Sequence, residues 1–179
     1  MAKRTATARW HGTVQDGDGR IALDQVRLVD DDLRNVDKIF IVGCGTSFYA
    51  GAVARYAIEH WTRIPCELDI ASEFRYRSPV LTSRTLVVAV SQSGESIDTL
   101  EAVHHAKQWR APVLAITNVV DSSMARDADA VLYTRAGPEI CVASTKTYPA
   151  QIAAMQILAL YLAQLLGTQY RSETNALLD

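Results

Sequence analysis

Short apolar runs alternate with longer periodic segments along most of this sequence, from residue 37 onward. The runs are rich in β-branched residues, and each ends near polar or turn-forming residues, as buried strands do. The segments between several of them repeat apolar residues at helical spacing. A strand followed by a helix-length return predicts a parallel neighbour, because a tight turn cannot make a parallel connection. The sequence therefore predicts an α/β fold: a three-layer α/β/α sandwich around a five-stranded, mostly parallel sheet.

The predicted strands are KIFIVG (38–43), IPCELDIA (64–71), TLVVAV (85–90), PVLAIT (112–117) and AVLYT (130–134). The predicted helices cover 46–61, 96–109 and 148–167, and a further helix is expected within 21–36. The apolar stretch 150–166 is shorter than a bilayer span of about 20 residues and contains glutamines, which predicts a core helix and no membrane anchor. Because this helix is apolar all round, we expect it to contact an oligomer partner or a second lobe as well.

Length and composition limit the classes of protein. The 179 residues suffice for one well-packed domain, and we assign 1–20 to an exposed N-terminal arm, 21–170 to the domain and 171–179 to a C-terminal tail. A net charge of -2 offers no positive field for nucleic acid. The three cysteines lie far apart without a CxxC pair, so neither disulfides nor a zinc site is predicted, and a cytoplasmic location is expected.

The turn after the third predicted strand has an unusual surplus of hydroxyl groups. This serine turn reads SQSGES, from Ser91 to Ser96, and a helix follows it. Ser91, Ser93 and Ser96 can donate O–H groups, Gln92 can donate its amide, and the glycine lets the backbone approach closely with its N–H exposed. A helix N-terminus adds partial positive charge, so the turn predicts a phosphate site. The alternative is one capping serine beside solvated loop residues. Glu95 is explained by the dipole of the following helix, and we assign it no catalytic role.

A second polar turn, GCGTSF, follows the first predicted strand. Its glycines could open a dinucleotide fingerprint, but Phe48 occupies the third small position, and no P-loop pattern is present, so no cofactor is predicted. Thr46 and Ser47 then remain as two hydroxyls at a helix start. Either they are ordinary N-caps or they belong with the serine turn, because both turns lie at the carboxyl edge of the sheet.

A third segment, GPEICVASTKTYP (137–149), follows the last predicted strand and should bring Val142 and Ser144 to the same edge. Lys146 opposes the helix dipole there, so it faces an anion, a partner carboxylate or water. The histidines form no pattern with carboxylates or cysteines, and neither a metal site nor a nucleophile is predicted.

These motifs together resemble the sugar isomerase (SIS) domain family, and within it the first isomerase lobe of the isomerising glutamine:fructose-6-phosphate aminotransferases. The segments that carry the likeness are CGTSFYAG (44–51), ASEFRYR (71–77), the serine turn with the residues that follow it up to 100, and GPEICVASTKTY (137–148). The resemblance implies an SIS-type, flavodoxin-like sheet order and a role in amino-sugar biosynthesis.

The resemblance also implies a sugar phosphate as partner, fructose-6-phosphate or glucosamine-6-phosphate. Its phosphate would lie on Ser91, Gln92, Ser93 and Ser96, where the family usually has threonine at the last position. Thr46, Ser47, Val142 and Ser144 match the other sugar-site positions. We map no catalytic residue, because the family's catalytic groups belong to a second lobe, a tail and a glutaminase domain whose cysteine position is Ala2 here. We therefore expect no turnover by this chain alone.

Two alternatives stay open. The chain could be a stand-alone phosphosugar-sensing module that acts through a partner protein. It could also be a small homo-oligomeric sugar-phosphate isomerase, for which Glu73 or Glu139 would be the base to mutate first.

Overall fold

The computed structural model describes residues 8–10, 21–23, 28, 30–140 and 144–168. Within these ranges the strands are β1 (Ala8–Trp10), β2 (Ile21–Leu23), β3 (Lys38–Gly43), β4 (Cys66–Ile70), β5 (Thr85–Ser91), β6 (Val113–Thr117) and β7 (Ala130–Tyr133). The helices are α1 (Asp30–Arg34), α2 (Thr46–Thr62), α3 (Ala71–Phe74), α4 (Ile97–Gln108), α5 (Ser123–Asp127) and α6 (Thr147–Leu166).

The central sheet has the order β4-β3-β5-β6-β7, and every neighbouring pair in it is parallel. This confirms the predicted five-stranded parallel sheet. The chain leaves β3 toward β4 on one side and then crosses back to β5 on the other. Gly43 is opposite Val90, and Ser91 is opposite Thr117. A crevice at the carboxyl ends of β3 and β5 is the usual ligand position in a sheet of this order.

Helices cover both faces of the sheet. Successive strand residues point to opposite faces: Ile39 and Ile41 join a core with α1, α2 and α6, whereas Phe40 and Val42 join a core with α3, α4 and α5. Because both faces are buried, the central strands are continuous apolar runs with no polar alternation. The predicted three-layer α/β/α sandwich is confirmed.

The N-terminal part differs from the sequence prediction. Residues 21–23, at the start of the range where we expected a helix, form strand β2, and α1 is the one helix among the described residues of 21–36. Strand β2 pairs antiparallel with β1, which lies in the predicted arm. The rest of the arm, 1–7 and 11–20, and the predicted tail lie outside the described residues. The domain boundaries therefore stay a prediction.

Helix α6 is apolar enough and long enough to cross a membrane by composition and length alone, with a mean hydropathy of 1.4. In the fold, Met155 and Leu158 are fully buried in the core shared with α2 and the sheet. Such packing fits the predicted core helix. The helix ends at Gly167, whose φ of 71° is the left-handed C-cap that glycine adopts without strain.

Candidate functional site

The first turn of the candidate site joins β3 to α2. Thr46 is the first residue of α2, and Gly45 is its N-cap, with a φ of 54° and no side-chain capping bond. Neither Thr46 nor Ser47 is therefore the N-cap that the alternative interpretation required. Thr46 is half-buried and Ser47 is buried, both at the carboxyl end of β3, where the order of the sheet places a ligand.

The serine turn joins β5 to α4 next to it, and its first two serines accept hydrogen bonds from the backbone. The Gly94 N–H donates to Ser91 Oγ at 3.1 Å, and the Glu95 N–H donates to Ser93 Oγ at 3.2 Å. A hydroxyl has one hydrogen and two lone pairs, so an oxygen that accepts in this way keeps its hydrogen for another acceptor. Both serines are thus available as donors to an anion.

The remaining members of this turn are also free to donate. Ser96 is the N-cap residue of α4 but makes no side-chain capping bond. The Gln92 side chain is half-buried and has no hydrogen-bond partner among the described residues, while its backbone carbonyl accepts from the Asn118 N–H at 3.1 Å and from Thr117 Oγ1 at 3.3 Å. No serine side chain of this turn caps α4, so the alternative of one capping serine does not describe it.

Gly94 is required for a reason other than the one expected. Its N–H is not exposed, because it donates to Ser91. Its φ is +66°, and an added Cβ would lie 2.6 Å from Ser122 Cβ and 2.9 Å from Thr117 Oγ1. The glycine therefore lets the serine turn lie directly against the β6–α5 connection. The Gly94 carbonyl also accepts from the Met124 N–H, in α5, at 3.0 Å.

Glu95 also has a different partner from the one the sequence suggested. It precedes α4, and its carboxylate accepts from the Ser123 N–H at 2.8 Å, at the start of α5. This backbone N–H, followed by the Ser123 hydroxyl, lowers the pKa of Glu95 below its ordinary value of 4.5. Glu95 lies before the N-cap of α4, so it is not the first-turn acid that we expected. The residue ties the serine turn to α5.

The third segment follows β7 and is anchored at two points. Asn118 Oδ1 accepts from the Ala136 N–H at 2.8 Å, and Asn118 Nδ2 donates to the Gly137 carbonyl at 2.7 Å. The Glu139 carboxylate accepts from the N–H and the hydroxyl of Thr147, at 3.2 and 3.0 Å. Glu139 is thus engaged at the start of α6, which weakens it as a candidate base.

Ser144 lies between Glu139 and Thr147 in the chain. It is half-buried and has no hydrogen-bond partner among the described residues. Val142, the other position predicted in this segment, lies outside the described residues. Lys146 is exposed immediately before α6, without an ion pair to any described carboxylate. Whether it faces an anion, a carboxylate outside the described residues or water stays a prediction.

Ser47 has a partner that the sequence analysis missed. Gln151, in the first turns of α6, donates from Nε2 to Ser47 Oγ at 3.0 Å. The sequence analysis also missed three residues that contact the serine turn: Thr117, Asn118 and Ser122. The one local signal was the polar Gln151 in an apolar helix, whereas the others lie in ordinary turn sequence.

Other reactive groups do not add to the site. Among the described residues, no group of three or more His, Cys, Asp or Glu side chains is placed to hold a metal ion. Burial, and then the nearby Glu59 carboxylate, raise the pKa of the Cys66 thiol to about 12, so this thiol is unreactive at neutral pH. Glu73 is exposed on α3.

Comparison with known proteins gives consistent matches. A family model for the SIS domain matches residues 32–161. The isomerizing glutamine–fructose-6-phosphate aminotransferase of Mycobacterium bovis is 63% identical over 155 residues, which is 87% of this chain and 25% of that protein. Its counterpart in Corynebacterium glutamicum is 59% identical over 164 residues, 92% of this chain and 26% of that protein. The chain thus spans about a quarter of the length of these relatives.

Solved structures agree with these matches. The C-terminal domain of glucosamine-fructose-6-phosphate aminotransferase from Francisella tularensis superposes with a TM-score of 0.84 at 39% identity, covering 89% of this chain and 45% of that one. Glucosamine-6-phosphate deaminase from Thermotoga maritima superposes with a TM-score of 0.67 at 24% identity, covering 79% of this chain and 43% of that one. The second likeness is one of fold alone.

Proposed function

Because the chain belongs to the SIS domain family, we propose that it binds a hexose 6-phosphate in the crevice between the ends of β3 and β5. The substrate class follows from relatives whose names contain fructose-6-phosphate. We further propose that the sugar is fructose-6-phosphate or glucosamine-6-phosphate, and that the chain corresponds to the first isomerase lobe of such an aminotransferase.

One observation carries the proposal. The turns after β3 and β5 present several hydroxyl groups, and those of Ser47, Ser91 and Ser93 each accept a hydrogen bond from the protein. Their own hydrogens are left to donate, which suits a ligand rich in acceptors, such as a phosphate. The N-termini of α2 and α4 add their partial positive charge at the same edge.

The role in catalysis that we propose is positioning. A sugar phosphate held by its phosphate and by Thr46 and Ser144 is oriented for groups that another lobe or another copy of the chain supplies. We therefore expect binding without turnover, and association with an oligomer partner or a second lobe in the complete enzyme.

Calorimetric titration of the purified chain with fructose-6-phosphate, glucosamine-6-phosphate and inorganic phosphate tests this proposal. We expect both sugar phosphates to bind, with no isomerisation in the same samples. Isomerisation would mean that the chain contains a base of its own, and Glu73→Gln would then be the first variant to assay. Absence of binding by any of the three ligands would overturn the proposal.

Substitution of the serine turn locates the site. Each hydrogen bond to a charged group contributes about 1.5–3 kcal/mol, so Ser93→Ala should weaken binding about tenfold or more, and Ser91→Ala with Ser93→Ala should abolish it. Ser83→Ala is the matched control, because Ser83 is exposed just before the same strand, at the opposite edge of the sheet. Unchanged affinity in the double variant, with an intact fold, would place the ligand elsewhere.

A further inference from the structure

We propose that Gln151 is a positioning residue of the sugar-phosphate site, which orients the Ser47 hydroxyl toward the ligand. The inference rests on the proposed function. Gln151 is 1% exposed and Ser47 is 6% exposed, and the 3.0 Å bond between them joins residues that are 104 positions apart in the chain. It connects α6 to the first turn of α2, at the end of β3.

The chemistry of the amide determines the direction of this bond. A side-chain amide nitrogen can only donate, so Ser47 Oγ must accept, and its single hydrogen must point away from Gln151. Ser47 has little freedom to move. A Cβ added to Gly43 would lie 3.3 Å from Ser47 Cβ, so the serine packs directly on the end of β3. The amide thereby makes Ser47 a donor to whatever occupies the crevice.

The buried amide has a cost that folding alone does not explain. Gln151 Oε1 is buried and has no hydrogen-bond partner among the described residues. A buried acceptor without a partner destabilises a protein, and an apolar side chain of similar size would avoid this penalty. Leu158 and Met155 on the same helix are fully buried without such a penalty. A role at the site accounts for a glutamine at this position.

The competing explanation is that the bond only holds α6 against α2. The two explanations differ in what they predict for Ser47. If Gln151 orients the hydroxyl, its effect on affinity must vanish when Ser47 is alanine. If it only joins the helices, its substitution must change thermal stability and leave the affinity of the folded protein unchanged.

Two substitutions of Gln151 test the inference by calorimetry with fructose-6-phosphate and glucosamine-6-phosphate. Gln151→Leu removes the donor and lets the hydroxyl rotate, and we expect about tenfold weaker binding. Gln151→Glu replaces the donor by an acceptor, so that Ser47 donates to the carboxylate, and affinity should fall to that of Ser47→Ala. Gln151→Leu in the Ser47→Ala background should cause no further loss. Gln156→Leu, a half-buried glutamine on the same helix, is the control.

Thermal unfolding of each variant separates an effect on folding from an effect on binding. If Gln151→Glu does not fold, Gln151→Leu is sufficient for the test. Wild-type affinity in Gln151→Leu would overturn the inference and leave the proposed function standing. A loss that adds to that of Ser47→Ala would overturn it equally. If the wild-type chain binds neither sugar phosphate, the proposed function fails, and this inference fails with it.

Discussion

Three serine hydroxyls at the carboxyl edge of the sheet are oriented by donors that the protein itself supplies. Backbone N–H groups reach Ser91 and Ser93, and a side-chain amide reaches Ser47. Each oxygen keeps its hydrogen for an outside acceptor, and an ionised phosphate oxygen only accepts. Because the protein orders these hydroxyl groups before a ligand arrives, binding costs less conformational entropy than it would with flexible lysine or arginine side chains.

Gly94→Ala should disrupt this arrangement at one residue. The alanine must adopt a φ of +66°, and its Cβ must displace Ser122 and Thr117. The left-handed conformation costs about 1–2 kcal/mol and overpacking adds about 1–3 kcal/mol, so we expect a loss of at least about 2 kcal/mol in the free energy of unfolding. Urea unfolding measures this loss, and calorimetry should show weaker sugar-phosphate binding by the folded variant.

Gly45→Ala is the matched control for this substitution. Gly45 also has a positive φ, of +54°, but an added Cβ would meet nothing within 4 Å. Its ψ of -129° lies outside the left-handed helical region, in a conformation that side chains avoid, so only this conformational cost of about 1–3 kcal/mol should appear. Equal losses in the two variants would show that the contact with Ser122 does not constrain the serine turn.

The sequence predicted that Thr46, Ser47 and the serine turn lie at this edge, because strand ends and helix starts are local patterns. It did not predict where their hydrogens point. The donor to Ser47 is 104 residues away, on α6, and the acceptor for Ser123 is Glu95, which lies beyond an entire helix and strand. Such pairings depend on how the elements pack, and no local pattern contains them.

At the scale of elements, the serine turn is held by the β6–α5 connection. The Gln92 carbonyl accepts from the Asn118 N–H in this connection, and the Gly94 carbonyl accepts from the Met124 N–H within α5. The Glu95 carboxylate accepts from the Ser123 N–H at the start of α5. Helix α5 is one that the sequence did not predict, as is α3, because neither is long enough to show an amphipathic repeat. The long elements, by contrast, were predicted to within one or two residues at each end.

The bond between Glu95 and α5 should make stability depend on acidity. The folded protein holds the pKa of Glu95 below 4.5, so its contribution is fully present above that value and is lost as pH falls through the lower, folded pKa. We expect Glu95→Gln to be less stable than wild type at neutral pH. The difference should shrink as the pH of urea unfolding is lowered past 4.5.

Glu73→Gln is the control for this pH series. Glu73 is exposed on α3, and its carboxylate has no hydrogen-bond partner among the described residues, so the variant should follow the wild-type curve. If the difference in free energy of unfolding between wild type and Glu95→Gln stayed constant throughout the acid range, the charge of Glu95 would not stabilise its contact with α5.

At the scale of the whole molecule, α2 presents an exposed apolar stripe on the side away from the sheet. Tyr49, Val53 and Tyr56 are 63%, 47% and 68% exposed, and their spacing places them on one helix face. The sequence analysis predicted a partner contact for α6, because that helix is apolar all round. Part of α6 is covered by α2 and the sheet, and the outer face of α2 is a further candidate contact beside it.

We therefore expect the purified chain to associate as concentration rises, through the stripe of one copy against the same stripe of another, since a two-fold contact is the commonest form of self-association. Tyr49→Ser with Tyr56→Ser should shift sedimentation-velocity profiles toward the monomer. Trp109→Ser is the control, because Trp109 is 55% exposed at the end of α4, on the opposite face of the sheet. Concentration-independent monomers, or equal association in the tyrosine variant, would show that α2 is not the contact surface.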